Sequence, residues 1–203
     1  MTELGEIPEN WDIAKLEDIA LSFVSGGTPA TSKNDYWNGD IPWMRSASIN
    51  GRYIVSGERF ISKLGLDNSA SKLIPKDNLI IATRVSIGNF AINKIDIAIN
   101  QDLTAILFDK KKIDLEFIYW LMFKLKEIIK SFVQGSTISG IKRDDLKELK
   151  IALPPLHEQQ KISAILSNMD NLIQKLEDKK KKEEILKKGL MQQLLTGKRR
   201  VKV

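Results

Sequence analysis

Cysteine is absent from this chain and histidine occurs once in 203 residues. Without thiols there can be no disulfide and no thiolate metal site, which fits a reducing compartment. A single imidazole, His157, leaves zinc centres and histidine-based triads without their ligands. No stretch approaches the roughly 18 apolar residues that a membrane-crossing helix requires. Residues 1–6, MTELGE, are acidic and lack the apolar run of a secretion signal. These absences lead us to expect an intracellular binding protein. Nowhere does a glycine-rich loop follow a strand in the manner of a nucleotide or methyl-donor site. Asp145, Glu148 and Lys150 lie within six residues of one another on a polar stretch. They read as surface charges rather than as the carboxylates and lysine of a nuclease.

Proline is also scarce, and its distribution is informative. After Pro154 and Pro155 there is no further proline, and glycine recurs only at Gly189 and Gly197. Proline can begin a helix but not continue one, and glycine supplies a stop. The sequence therefore predicts one helix over 154–197, about 60 Å long at 1.5 Å per residue. Ile162, Met169, Leu176 and Leu190 fall on one seven-residue series, broken by Glu183. Ile165, Leu172 and Leu186 fall on the complementary series, broken by Lys179. Leu166, Ile173 and Leu194 widen the stripe. An apolar repeat of seven marks a left-handed coiled-coil seam, and so a helix that needs a partner. The breaks belong to the charge block at 177–184, which is either a solvated face or a device that sets register and orientation.

The formal charge of +6 is confined to that region. Residues 154–203 hold 12 basic and 6 acidic side chains, whereas residues 1–153 hold 20 of each. Any nucleic-acid binding by the first part must therefore come from local clusters on shaped loops rather than from bulk attraction. That part reads as mixed. An amphipathic stretch at 14–23 predicts a short helix with Leu16, Ile19, Ala20 and Phe23 inward. Strands are expected at Ile41–Met44, 79–83, Phe90–Asn93, Leu103–Phe108 and Lys150–Leu153. Asp114 should cap a helix burying Leu115, Ile118, Met122, Leu125, Ile129 and Phe132, and a further short helix is expected at 141–149. The fold class is α+β: a mixed domain of short strands and helices at 1–153, a long coiled-coil helix at 154–197, and a basic tail at 198–203.

Four polar loops are candidates for reading DNA. They offer Thr28 and Lys33 at 25–33; Arg45, Ser46 and Arg52 at 45–52; Arg84 and Ser86 at 84–88; and Ser136, Thr137 and Lys142 at 135–142. Arginine can bond two acceptors on a guanine edge, and Ser, Thr and Lys can hold phosphates. Glycines in these loops would let backbone approach a ligand. Trp37 and Trp43 read as anchors of a long loop rather than as stacking platforms.

In order and spacing, a set of segments spanning nearly the whole chain resembles the specificity (S) subunits of Type I restriction–modification systems. The segments are Gly5-Glu6-Ile7-Pro8-Glu9-Asn10-Trp11, Ser25-Gly26-Gly27-Thr28-Pro29, Tyr36-Trp37-Asn38-Gly39-Asp40-Ile41-Pro42-Trp43, Ala82-Thr83-Arg84-Val85-Ser86-Ile87-Gly88 and Asn100-Gln101-Asp102. Gln134-Gly135-Ser136-Thr137 and Leu153-Pro154-Pro155-Leu156-His157-Glu158-Gln159-Gln160-Lys161-Ile162 follow, and Gly189-Leu190-Met191-Gln192-Gln193-Leu194-Leu195-Thr196-Gly197 completes the set.

The resemblance implies residues 1–153 as a target-recognition domain. It also implies a conserved helix that pairs antiparallel with another and docks methyltransferase (M) subunits. An ordinary S subunit has two such domains and two helices, so this chain resembles a half subunit that should form a homodimer. Twofold symmetry would then match a gapped inverted repeat in double-stranded DNA. The helix length caps the spacing at roughly 17 base pairs. The resemblance places S-adenosylmethionine on M subunits, ATP on a restriction (R) subunit, magnesium on partner subunits, no cofactor and no catalysis on this chain, and the assembly in a prokaryotic cytoplasm. Two other readings remain open: a coiled-coil adaptor that does not read DNA, and a small stand-alone methyltransferase or nuclease.

Overall fold

The computed structural model describes residues 6–131 and 140–201. Ser136, Thr137 and Phe132 lie outside the described residues. Two compact units run Met1–Lys161 and Ile162–Val203.

The first unit contains β1 (Asp12–Lys15), α1 (Leu16–Ile19), β2 (Ala20–Ser25), β3 (Ile41–Met44), β4 (Tyr53–Ile54) and β5 (Arg59–Ile61). Next come α2 (Lys63–Asp67), β6 (Lys72–Ile74), β7 (Leu79–Ala82), β8 (Phe90–Asn93), β9 (Ile97–Ile99) and β10 (Leu103–Phe108). It closes with α3 (Leu115–Ser131), α4 (Arg143–Lys147), β11 (Lys150–Leu153) and the first turn of α5 (Leu156–Leu194).

Three sheets result, in the orders β2-β10-β7-β8-β4, β5-β3-β9-β6 and β1-β11. Every residue of β7, β8 and β9 is buried, so these strands read as continuous apolar runs rather than as alternation. One core cluster joins Ile80, Ala82, Ala91 and Leu103 of the five-stranded sheet to Met44, Ile74, Ile97 and Ile99 of the four-stranded one. Each fully buried isoleucine or leucine there contributes about 1.5–3 kcal/mol. α3 packs on β8, where Phe90 meets Tyr119 and Phe123 edge-on at 5.3 and 5.1 Å.

The expected cap on α3 is present: Asp114 Oδ1 accepts from the Phe117 N–H at 2.8 Å. Ile118, Met122, Leu125 and Ile129 are buried on its inner face, with Leu115 half-buried at its start. Strands stand at Ile41–Met44, Phe90–Asn93, Leu103–Phe108 and Lys150–Leu153 as expected, and β7 stops one residue short of the expected end. The stretch at 14–23 differs. In place of a helix it runs from strand β1 through the single turn of α1 into strand β2. β2 is drawn out by pairing along β10, from Ser25 opposite Thr104 to Ala20 opposite Phe108. That pairing overrides the local helical spacing. Leu16 is fully buried as expected, but Phe23 is only half-buried. The helix expected at 141–149 is confined to Arg143–Lys147.

α5 is a single uninterrupted helix, Leu156–Leu194, about 58 Å long. It ends where Gly197 adopts a left-handed φ of +71° and the Gly197 N–H reaches back to the Leu194 carbonyl at 3.2 Å. A Cβ at Gly189 would meet nothing within 4 Å, so this glycine interrupts neither the helix nor a contact.

Candidate nucleic-acid interface

The chain leaves β2 at Ser25 and immediately crosses the end of β9. A side chain at Gly26 would sit 1.9 Å from the Ile99 carbonyl oxygen, and one at Gly27 would sit 2.6 Å from Ala70 Cβ. The glycines therefore let the loop approach its own sheet, not a ligand as the sequence suggested. That close passage places Thr28 Oγ1 to donate to Gln101 Oε1 at 2.7 Å. Gln101 sits at the tip of a turn that its neighbours hold: Asn100 Nδ2 donates to Asp102 Oδ2 at 2.8 Å, and the Asp102 N–H donates to Asn100 Oδ1 at 3.2 Å. The Asp102 carbonyl in turn accepts from the Thr83 N–H at 2.8 Å, and the Thr83 carbonyl accepts from the Ile141 N–H at 2.7 Å. Backbone bonds thus join three loops that are distant in sequence.

Between them lies a cleft of about 470 Å³ lined by Ser25, Thr83, Arg84, Gln101, Lys142 and Arg143, among others. Arg84 is exposed where the chain leaves β7, on a loop turned by left-handed backbone at Ser86 (φ +57°) and Gly88 (φ +78°). Arg143 opens α4, and its guanidinium donates to Ser25 Oγ at 2.9 Å. Ser25 Oγ lies 3.2 Å from Thr104 Oγ1. None of the lining residues is acidic, and three are cations. In a region whose charges sum to zero, this is a local positive focus. The structure therefore brings together Thr28, Arg84 and Lys142 of the expected set, and adds Gln101 and Arg143, while Ser86 is exposed on the Arg84 loop and does not line the cleft. Gln101 was visible only within the Asn100-Gln101-Asp102 segment, and Arg143 directly follows the expected Lys142 in the sequence.

The remaining candidates are placed elsewhere. Ser46 is 2% exposed inside a one-turn helix, so it presents nothing to a ligand, which corrects the sequence expectation. Arg52 is also corrected. Its side chain is 9% exposed and is paired to Glu116, Nε donating to Oε2 at 2.9 Å. It lies over the rings of Trp120, Tyr53 and Tyr119 at 4.9, 5.1 and 5.3 Å. It is a structural cation in an aromatic cage. Tyr53 OH donates to Glu116 Oε1 at 3.0 Å. Burial, together with that bond and the carboxylate's charge, pushes the phenol up to about 12. Arg45 is more exposed, but it is engaged by Glu58 through contacts of 2.8 and 3.2 Å. Burial acts to raise the Glu58 carboxyl, but bonds from Ser48 and Arg45 outweigh it and hold the group below its ordinary value. Lys33 Nζ donates to Tyr36 OH at 3.1 Å.

Trp37 and Trp43 anchor the loop, as expected. They meet edge-on at 5.1 Å, and their indole N–H groups donate to Ala30 and Gly27 carbonyls. His157 is exposed in the first turn of α5, and among the described residues no cluster of three or more metal-binding side chains exists. Glu148 is held by Lys15 at 2.6 Å, which pins the strand ends and is not a catalytic arrangement.

The second unit offers a different surface. Ile165, Met169, Leu172, Ile173, Leu176, Leu186, Leu190 and Leu194 of the expected seam are all exposed. Leu172, at mid-stripe, is 50% exposed. Ile162 is half-buried. An exposed apolar stripe of this length, interrupted at the charge block 177–184, marks an association surface. Among the described residues no helix is long and apolar enough to cross a membrane.

The family model of the Type I restriction modification DNA specificity domain matches residues 8–187. The chain belongs to this family. It is 38% identical over 193 residues to the Type I restriction enzyme MjaIX specificity subunit of Methanocaldococcus jannaschii, covering 92% of this chain and 43% of that protein. It is 29% identical over 185 residues to the Type I restriction enzyme EcoprrI specificity subunit of Escherichia coli, covering 86% of this chain and 46% of that protein. A chain solved in a study of complex assembly in the type I R-M system superposes with a TM-score of 0.76 at 20% identity, covering 94% of this chain and 46% of that one. The HsdS subunit from Thermoanaerobacter tengcongensis gives 0.66 at 17% identity, covering 87% and 42%. These two neighbours establish the α+β fold with its long C-terminal helix. The chain spans a little under half the length of the proteins it matches.

Proposed function

We propose that this chain selects the DNA sequence on which a Type I restriction–modification complex acts. The observation that carries this is the cleft where Arg84, Lys142 and Arg143 converge with Gln101 and Thr28, with no carboxylate in its lining. Such a surface can hold phosphates with its cations and read base edges with Arg and Gln. In this reading the exposed stripe of α5 pairs with the same helix of a second copy and docks M subunits. The dimer's symmetry then makes the target a gapped inverted repeat. Methyl transfer from S-adenosylmethionine and ATP-driven cleavage with magnesium belong to the M and R subunits. This chain supplies the choice of site, inside the cell where those partners work.

The test is selection from random duplex DNA by the chain reconstituted with an M subunit. Enrichment of a gapped inverted repeat supports the reading. An intact complex that enriches nothing points instead to an adaptor, which the balanced charge of residues 1–153 would favour. Methylation or cutting by the chain alone would place it among enzymes.

A further inference from the structure

α5 runs unbroken from Leu156 to Leu194, so the phase of every seam residue can be counted without interruption. Two positions on the seam are charged, Lys179 on one series and Glu183 on the other. They lie symmetrically, two residues on either side of Lys181. The four leucines of the two series share that centre of symmetry, whereas Met169, further out, falls opposite Gln193. Leu176 and Leu186 lie five residues either side of Lys181, and Leu172 and Leu190 lie nine either side.

In an antiparallel pair, each residue of one series faces a residue of the other series on the opposite helix. A twofold axis passing at the level of Lys181 therefore sets Lys179 against Glu183 of the second copy, and Glu183 against its Lys179. The same axis sets Leu176 against Leu186 and Leu172 against Leu190. Sliding one helix by a heptad in either direction leaves each charge facing a leucine, where it is desolvated without a partner. A parallel pair sets Lys179 against Lys179 and Glu183 against Glu183, two like-charge contacts.

Resting on the proposed pairing of α5 with a second copy, we infer that Lys179 and Glu183 form a reciprocal charge lock. This lock fixes the antiparallel register of the dimer with its axis at Lys181. The partner is a second copy of this chain because the pattern is complementary to itself about that point. Of the charges flanking Lys179, Lys180 is paired with Glu184 at 4.0 Å and Asp178 accepts from Gln174 Nε2 at 3.2 Å, each within its own helix.

The test uses the full chain and sedimentation equilibrium. Lys179→Glu and Glu183→Lys each put two like-charge pairs in the seam, so each should weaken self-association by roughly tenfold or more. Mixed in equal amounts, the two variants restore both opposite-charge pairs and should associate as tightly as the parent. The double variant, with both charges exchanged, should do the same. The chain has no native cysteine, so Leu176→Cys together with Leu186→Cys should form an interchain disulfide on oxidation, whereas either alone should not. Single charge variants as tightly dimeric as a dimeric parent would overturn the lock while leaving the pairing of α5 intact. A parent that stays monomeric would remove the pairing itself, and the lock with it.

Discussion

Arg84 and Arg52 carry the same guanidinium but are placed for opposite tasks. Arg84 is exposed on a loop bent by left-handed residues, free of the aromatic cage that encloses Arg52. Arg84→Ala should reduce discrimination at one base pair by about 1–3 kcal/mol, read by comparing binding to single-base variants of the selected site. A loss spread evenly over all sequences would make Arg84 a phosphate contact. Within the cage, Tyr53 offers a spectroscopic handle. Its phenol is pushed up to about 12, so in the folded state the neutral form is favoured. The associated stabilisation is fully present below the ordinary tyrosine value of about 10 and disappears as pH rises through the folded one. An ultraviolet phenolate titration should show a late-ionising step from Tyr53, and Tyr53→Phe should remove that step. Persistence of the late step in the variant would assign it to another residue.

At the scale of elements, the helix that defines the C-terminal region is fastened at its start by a residue inconspicuous in the sequence. Gln159 is 1% exposed. Its amide donates to the Pro154 carbonyl at 2.9 Å, and its oxygen accepts from the Asp114 N–H at 2.9 Å. Asp114 is the residue that caps α3, so one side chain links the starts of two helices. Gln159→Leu leaves both backbone groups without that partner. It should lower unfolding stability by about 1–3 kcal/mol in urea titration, with α5 packing as the casualty. On the exposed stripe, the proposed pairing of α5 with a second copy predicts that Leu172→Glu weakens self-association in light scattering while the 1–150 region keeps its thermal transition. A variant still fully dimeric would remove Leu172 from the seam.

Long or fully apolar elements were legible from residues alone: α3 from its cap and spacing, α5 from two prolines and a heptad, and β8 and β10 from apolar runs between turn residues. β4, β5, β6 and β9 are only two or three residues each, too short for a period to register. β2 was misread because its pairing with β10 is a long-range fact. The candidate site divides along similar lines. Exposed cations on loops were visible, but the burial of Ser46 and the pairing of Arg52 depend on partners distant in sequence. Glu116, for example, lies 64 positions from Arg52.

For the whole molecule, the partition of charge sets how binding responds to salt. Residues 1–153 are neutral in sum, and the cleft supplies three cations. If each engages one phosphate, the logarithm of affinity per cleft should fall with the logarithm of salt concentration at a slope of about −2.7. A slope about twice as steep would mean that the three cations Lys198 to Arg200 also contact phosphates. A slope near zero would exclude phosphate contacts at the cleft.

The smallest sheet has a consequence for how such a chain can change. β1 and β11 lie antiparallel, with Asp12 opposite Leu153 and Lys15 opposite Lys150. The polypeptide therefore enters and leaves the segment between these strands side by side, through a clasp held by backbone pairing. A different module inserted between the two strands would meet the same clasp and the same helix start. Recombination within the clasp would thus exchange the segment between the strands while the clasp and α5 stay the same.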